Sequence, residues 1–162
     1  TTDQAVQLSS DVVSALSSAQ VAAFQTADLA QISTNALTAM STAALAGLST
    51  AQIKQMGTTQ IASITTDQLP VLSTSNINAL TTAQAANLGT AQVAALTTDQ
   101  VKGLTGAQIA RLSTDSIKAL TSDQVKTLAA NQLQAMAVGV DDERPREAHS
   151  IGLFSSASRD DC

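Results

Sequence analysis

Apolar residues recur along this chain at alternating intervals of three and five. Cut into eights from Thr1, residues 1–136 fall into seventeen octads with no insertion or deletion. The fifth place is apolar in all seventeen, from Ala5 and Val13 to Val125 and Leu133. The eighth is Leu, Ile, Met or Phe throughout, from Leu8 to Met136. A spacing of three puts the two places on one face of a helix. The first place is Ser or Thr in thirteen octads and the fourth is Gln in eleven. Ser/Thr-x-x-Gln before an apolar residue is a capping box: the hydroxyl accepts from the backbone N–H three residues on, and the Gln reaches back to the cap's own N–H. The spacing predicts one helix per octad, from the second place to the eighth, just under two turns. Nucleation is too costly for such a helix to persist alone, so its apolar edge must be buried against neighbouring octads. The predicted fold is all-α, a solenoid of about seventeen very short helices.

Three other structures compete. A single continuous helix fails because eight residues advance it by about 800°, so the apolar edge drifts by about 80° per octad and forms no seam. A β-solenoid is the alternative, since Thr, Val and Ile favour strands. Against it, a spacing of three places the apolar pair on opposite faces of a strand, and Ala and Gln are poor strand formers. Disorder is opposed by an apolar fraction of 44% and a net charge of only −5.

The charges follow the octad. Six of the seven acids in residues 1–136 occupy the third place: Asp3, Asp11, Asp67, Asp99, Asp115 and Asp123. Four of the five bases occupy the sixth: Lys54, Lys102, Lys118 and Lys126. Acids near a helix start and bases near its end suit the helix dipole. Asp99–Lys102, Asp115–Lys118 and Asp123–Lys126 are also i,i+3 neighbours. Pro70, at a sixth place, predicts a local distortion that a two-turn helix absorbs. Gly47 and Gly103 stand near expected helix ends, where backbone freedom is useful. Phe24, Met40, Met56 and Met136 are eighth-place residues of odd-numbered octads, which suggests a sixteen-residue unit of two octads.

The chain divides at Met136 into an octapeptide-repeat solenoid, 1–136, and a polar tail or C-terminal cap, 137–162. The tail holds six acids and three bases. Its Val138, Val140, Ile151, Leu153 and Phe154 could form a flap over the last open repeat, as terminal repeats require. Thr1 is already in phase, with no initiator Met or leader before it, so the expectation is a segment of something longer.

Little in the chain carries chemistry. His149 is the only histidine and Cys162 the only cysteine. One of each is too few for a metal site or a nucleophile with its base, so Cys162 reads as a free thiol or a link to another chain. No phosphate loop, metal-ligand pair or nucleophile elbow occurs. Catalytic, cofactor and metal residues are therefore none, and the chain does not read as an enzyme. A pI near 4.5 and the lack of basic clusters or stacking aromatics argue against nucleic acid. No apolar run is long enough to span a membrane. The second place, Thr in twelve octads and Ser in three, forms a regular outward array.

The octads resemble the tandem Thr-x-x-Gln-(Val/Ile)-x-x-Leu repeats of long bacterial surface or secreted proteins, over residues 1–136. That resemblance implies an adhesin-like stalk or spacer that is extracellular or at the cell surface. Neighbouring repeats or copies of itself would be its partners. The alternative is a binding solenoid that presents its Thr/Ser face to a protein, glycan or ice surface.

Overall fold

The computed structural model of this chain describes residues 7–140, with the backbone alone for 137–140. Among the described residues fifteen α-helices and one 3₁₀-helix follow one another, and no strand occurs. The expected helical solenoid is the architecture observed.

The octad Ser49–Met56 shows how each unit forms. Ser49 is extended (φ −84°, ψ 159°), and its hydroxyl accepts from the Gln52 N–H. The helix Thr50–Gln55 follows, and Met56 is again extended (φ −62°, ψ 142°). Before the last helix, the helices stop between the fifth and seventh places, short of the eighth place that the octad alone predicts. Thr26–Leu29 is the shorter form and Thr98–Gly103 the longer. The eighth residue has two tasks: its side chain enters the core while its backbone leads out to the next cap. In octads such as Met56 and Leu104, an extended eighth residue followed by an extended cap redirects the chain.

The helices stack with a period longer than the octad. Thr50–Gln55 packs against Thr26–Leu29 on one side and Thr74–Asn78 on the other, three octads away in each direction. Hydrogen bonds between turns span 28 and 31 residues. One superhelical turn therefore takes about 28 residues, three and a half octads. Successive octads are therefore rotated by about 100° around the axis, a full turn divided among three and a half octads. The sixteen-residue unit suggested by Phe24 and the methionines is not the stacking unit, because contacts recur at three and four octads.

From Ala36 to Leu112 three places per octad are buried: the fourth, fifth and eighth. Fifth- and eighth-place residues form one continuous apolar cluster from Val13 to Leu128. The exceptions to the repeat are accommodated locally. Around Pro70 the octad forms a turn and the 3₁₀-helix Leu69–Val71, yet Leu69 and Leu72 stay buried. Gly47 does not supply a left-handed turn. A Cβ there would collide with the backbone of Ser18, one turn below, so glycine is required by close approach. Of the three i,i+3 ion pairs, Asp115–Lys118 (3.8 Å) and Asp123–Lys126 (3.0 Å) form, both exposed. Surface pairs of this kind contribute little.

The last helix, Ala130–Val140, runs through Met136 without stopping. Ala137 stands where the next octad would begin, so no Ser or Thr starts another cap there. The remaining tail, 141–162, with its expected flap residues Ile151, Leu153 and Phe154, lies outside the described residues.

Two substitutions test this packing. Leu96→Asp places a charge in the core and should lower stability by about 3 kcal/mol or more, whereas exposed Thr98→Ala should cost less than about 0.5 kcal/mol. Equal melting shifts would contradict the assigned phase. Gly47→Ala should cost about 1–3 kcal/mol through overpacking against Ser18, and a neutral melting curve would disprove the close approach.

Candidate functional site

The most constructed feature of the chain is a row of buried side-chain amides at the fourth place. Gln52 shows the geometry. Its Oε1 accepts from the backbone N–H of the cap residue Ser49 at 2.8 Å. Its Nε2 donates to the carbonyls of Val21 and Phe24, both at 2.9 Å, one turn below. One amide thus joins the N-terminal end of its own helix to the C-terminal end of the helix four octads earlier. Both ends carry backbone groups that the helix itself cannot satisfy.

The bridge recurs at Gln60, Gln68, Gln84, Gln92, Gln100, Gln108, Gln124 and Gln132, always to the residues 28 and 31 positions earlier. Each of these also accepts from its own cap N–H. The two substitutes in the row keep only part of the bridge. Asn76 is one methylene shorter and donates to the Leu48 carbonyl at 2.9 Å. Ser116 donates to Leu88 at 3.1 Å. Among the described residues no buried side-chain nitrogen or oxygen lacks a partner.

The sequence shows these glutamines as capping residues and conceals their burial and their second set of bonds. One signal was available. A capping box accepts Glu as readily as Gln, yet residues 1–136 contain no Glu at all. A carboxylate would cap the helix but would turn an acceptor toward two acceptor carbonyls.

The second-place hydroxyls are exposed in most octads, including Thr42, Thr50, Thr82 and Thr98. Because consecutive octads are rotated by about 100°, they are distributed around the superhelix and do not form one flat sheet. A recess of about 450 Å³ opens between stacked octads and is lined by Thr50, Lys54, Thr74, Ser75, Asn78, Ala79 and Gly103. Asn78 Nδ2 donates to the Gly103 carbonyl at 2.8 Å across it. The recess offers hydroxyls and one ammonium group, without a carboxylate pair or a nucleophile beside a base. Among the described residues no cluster of three or more His, Cys, Asp and Glu could hold a metal. No helix among them is long and apolar enough to cross a membrane. His149 and Cys162 lie outside the described residues.

A family model described as the ALTTAQ repeat matches residues 21–58, 44–74, 53–82, 74–106, 82–114 and 98–130. No curated protein and no solved structure matches the chain.

The bridge predicts an asymmetry between two chemically identical changes. Gln84→Glu buries a carboxylate against the carbonyls of Ile53 and Met56 and should destabilise by about 3 kcal/mol or more. Lowering the pH should shrink that deficit, since a protonated acid restores one donor. Gln20→Glu, at the same place but exposed and, among the described residues, joined only to its own cap, should be nearly neutral. Similar melting temperatures for the two variants at neutral pH would refute the bridging role.

Proposed function

The chain belongs to the ALTTAQ repeat family, and from that premise we propose that it is a structural module, a spacer or stalk segment that holds other parts of a larger protein apart. The observation that carries this reading is the sameness of the turn-to-turn contact. From Gln52 to Gln132 every octad reaches back by the same 28-residue step. The polar chemistry at the buried places is directed inward, at joining turns. Outward places carry mainly Ser, Thr, Ala and single charges. In a quasi-one-dimensional solenoid, adding or removing whole units changes reach without changing fold. The setting proposed for such a spacer is an extracellular or cell-surface protein of the adhesin-like kind. The reading assigns the chain no catalytic role.

A binding solenoid is the second reading, and the recess around Lys54 is what favours it, through a sugar or peptide with polar groups. The distribution of Thr around the axis weighs against a flat crystal surface such as ice.

A length series tests the first reading. Deleting Thr81–Leu96 removes two octads in phase, and the variant should fold and shorten by about 5 Å, given layers about 10 Å apart. Duplicating residues 57–112 adds seven octads, two full turns, and should lengthen it by about 20 Å on the same spacing. Deleting Thr81–Ala85 breaks the phase and should abolish cooperative melting. Small-angle X-ray scattering and thermal melts read these outcomes. In the larger protein, activity should follow reach and be indifferent to which octads supply it. If the two-octad deletion folds normally yet removes binding to a partner, those octads hold a specific site and the second reading replaces the first.

A further inference from the structure

We propose that the solenoid yields to tension octad by octad and rewinds from whatever turns remain folded, so that the proposed spacer is extensible as well as long. Its contacts are short in reach. Thr50–Gln55 packs on Thr26–Leu29 and on Thr74–Asn78, each three octads away, and Thr98–Gly103 on Thr74–Asn78 and Thr114–Lys118 on Thr90–Ala95 repeat that step. The amides reach four octads back, from Gln84 to Ile53 and Met56 and from Gln100 to Leu69 and Leu72. An α-helix has the same form one level down. Each residue bonds to the one four before it, growth adds one bond per residue, and the first turn is costly because nothing yet holds it. Here growth adds one bridge per octad, while the first bridge must close a loop of 28 residues with no folded turn beneath it. Nucleation is therefore costly, and movement of an existing edge is easy.

Tension acts on this contact directly. The amide bonds join one turn to the next, so an axial pull on an unwinding edge bears on the octad that is leaving it. Once freed, that octad has lost its bridge and the neighbours that buried its fifth and eighth residues. A helix of four to six residues then melts. The turns behind it keep all their bonds. Release therefore repeats at a similar load in each bridged octad. Each frees about 24 Å of contour, eight residues of extended chain less the octad's share of a layer about 10 Å thick. Two octads are weaker. Asn76 and Ser116 each make one bond to the turn below, where Gln68, Gln84, Gln92 and Gln100 make two or more. The force should dip as the edge passes them. A load above the common level lengthens the rod and is not passed on to what the rod connects.

The test holds the full 162-residue chain between handles at its two ends in an optical trap. Extension at near-constant force is expected, without one large rupture. Relaxation after partial unwinding should retrace the pulling curve, because the edge regrows on folded turns. Relaxation after complete extension should lag behind it, because a nucleus must form again. Asn76→Gln, which restores the longer bond to the Leu45 carbonyl, should remove the dip at its octad. Gln84→Asn, Gln92→Asn, Gln100→Asn and Gln108→Asn together, each copying the shorter amide that Asn76 already carries, should lower the force over roughly 100 Å of contour and leave the rest of the curve unchanged. A single all-or-none rupture, equal lag after partial and complete extension, or a fourfold variant whose whole curve shifts evenly would each overturn the proposal. The extensible role rests on the spacer reading, but the two fail separately. A chain that keeps its fold through the two-octad deletion and ruptures in one step overturns this proposal and leaves that reading in place.

Discussion

A helix of five or six residues leaves most of its backbone hydrogen-bonding groups without partners inside the helix. This constraint governs the whole structure, because a domain built from such helices must satisfy both ends of each one, many times over, near or inside its core. The cap hydroxyl and the cap carbonyl serve part of the N-terminal end, as Ser49 does for Gln52 and Ile53. The rest falls to one side chain. A glutamine at the fourth place has an acceptor and two donors on a planar group, on a stem long enough to reach back to its cap. Oriented that way, its donors point down onto the C-terminal carbonyls of the preceding turn. Capping and stacking are therefore a single act, and neither is complete without the other.

That coupling explains what the octad tolerates. Pro70 removes a helical hydrogen bond and converts its octad to a 3₁₀ turn, yet Gln68 still reaches Leu37 and Met40. The bridge depends on where the fourth residue sits, and helix type matters less. Gly57 and Gly89 lack a capping hydroxyl, yet their N–H groups still bond to Gln60 and Gln92. Asn76 and Ser116 give up the longer bond and keep the one to the eighth-place carbonyl, where one octad hands over to the next. In the octads up to Leu48, where the fourth place holds Val12, Gln20, Asp28, Ala36 and Ala44, no fourth-place glutamine bridges two turns among the described residues.

Much of this was legible in the residues, for a physical reason. Caps, charge placement and the three-residue apolar spacing act within one octad, so they appear within one octad of sequence. The pitch does not. An eight-residue period says nothing about which octad lies above which, because three and a half octads per turn is set by how far each extended eighth residue and cap rotate the chain. Phe24 and the methionines suggested a two-octad unit, but they share a place in the octad without sharing a layer. Gly47 was misread on the same ground: its reason is the backbone of Ser18, 29 residues away in sequence and one turn away in space. The fourth place was half legible. Its capping role is local, while its burial belongs to the stack.

The same geometry bears on function. From Gln52 to Gln132 each octad reaches back by the same 28-residue step, so length is the property that can vary there without loss of fold. The rotation of about 100° between octads distributes each outward place around the rod, so a binding face would need residues at positions matched to a spacing near 28. A surface tuned to the octad alone would not form one. The recess at Lys54 arises where small residues, Ala79 and Gly103, fall in stacked octads. It is a departure from the repeat, and departures of that kind are where individual character in such a chain has to be sought.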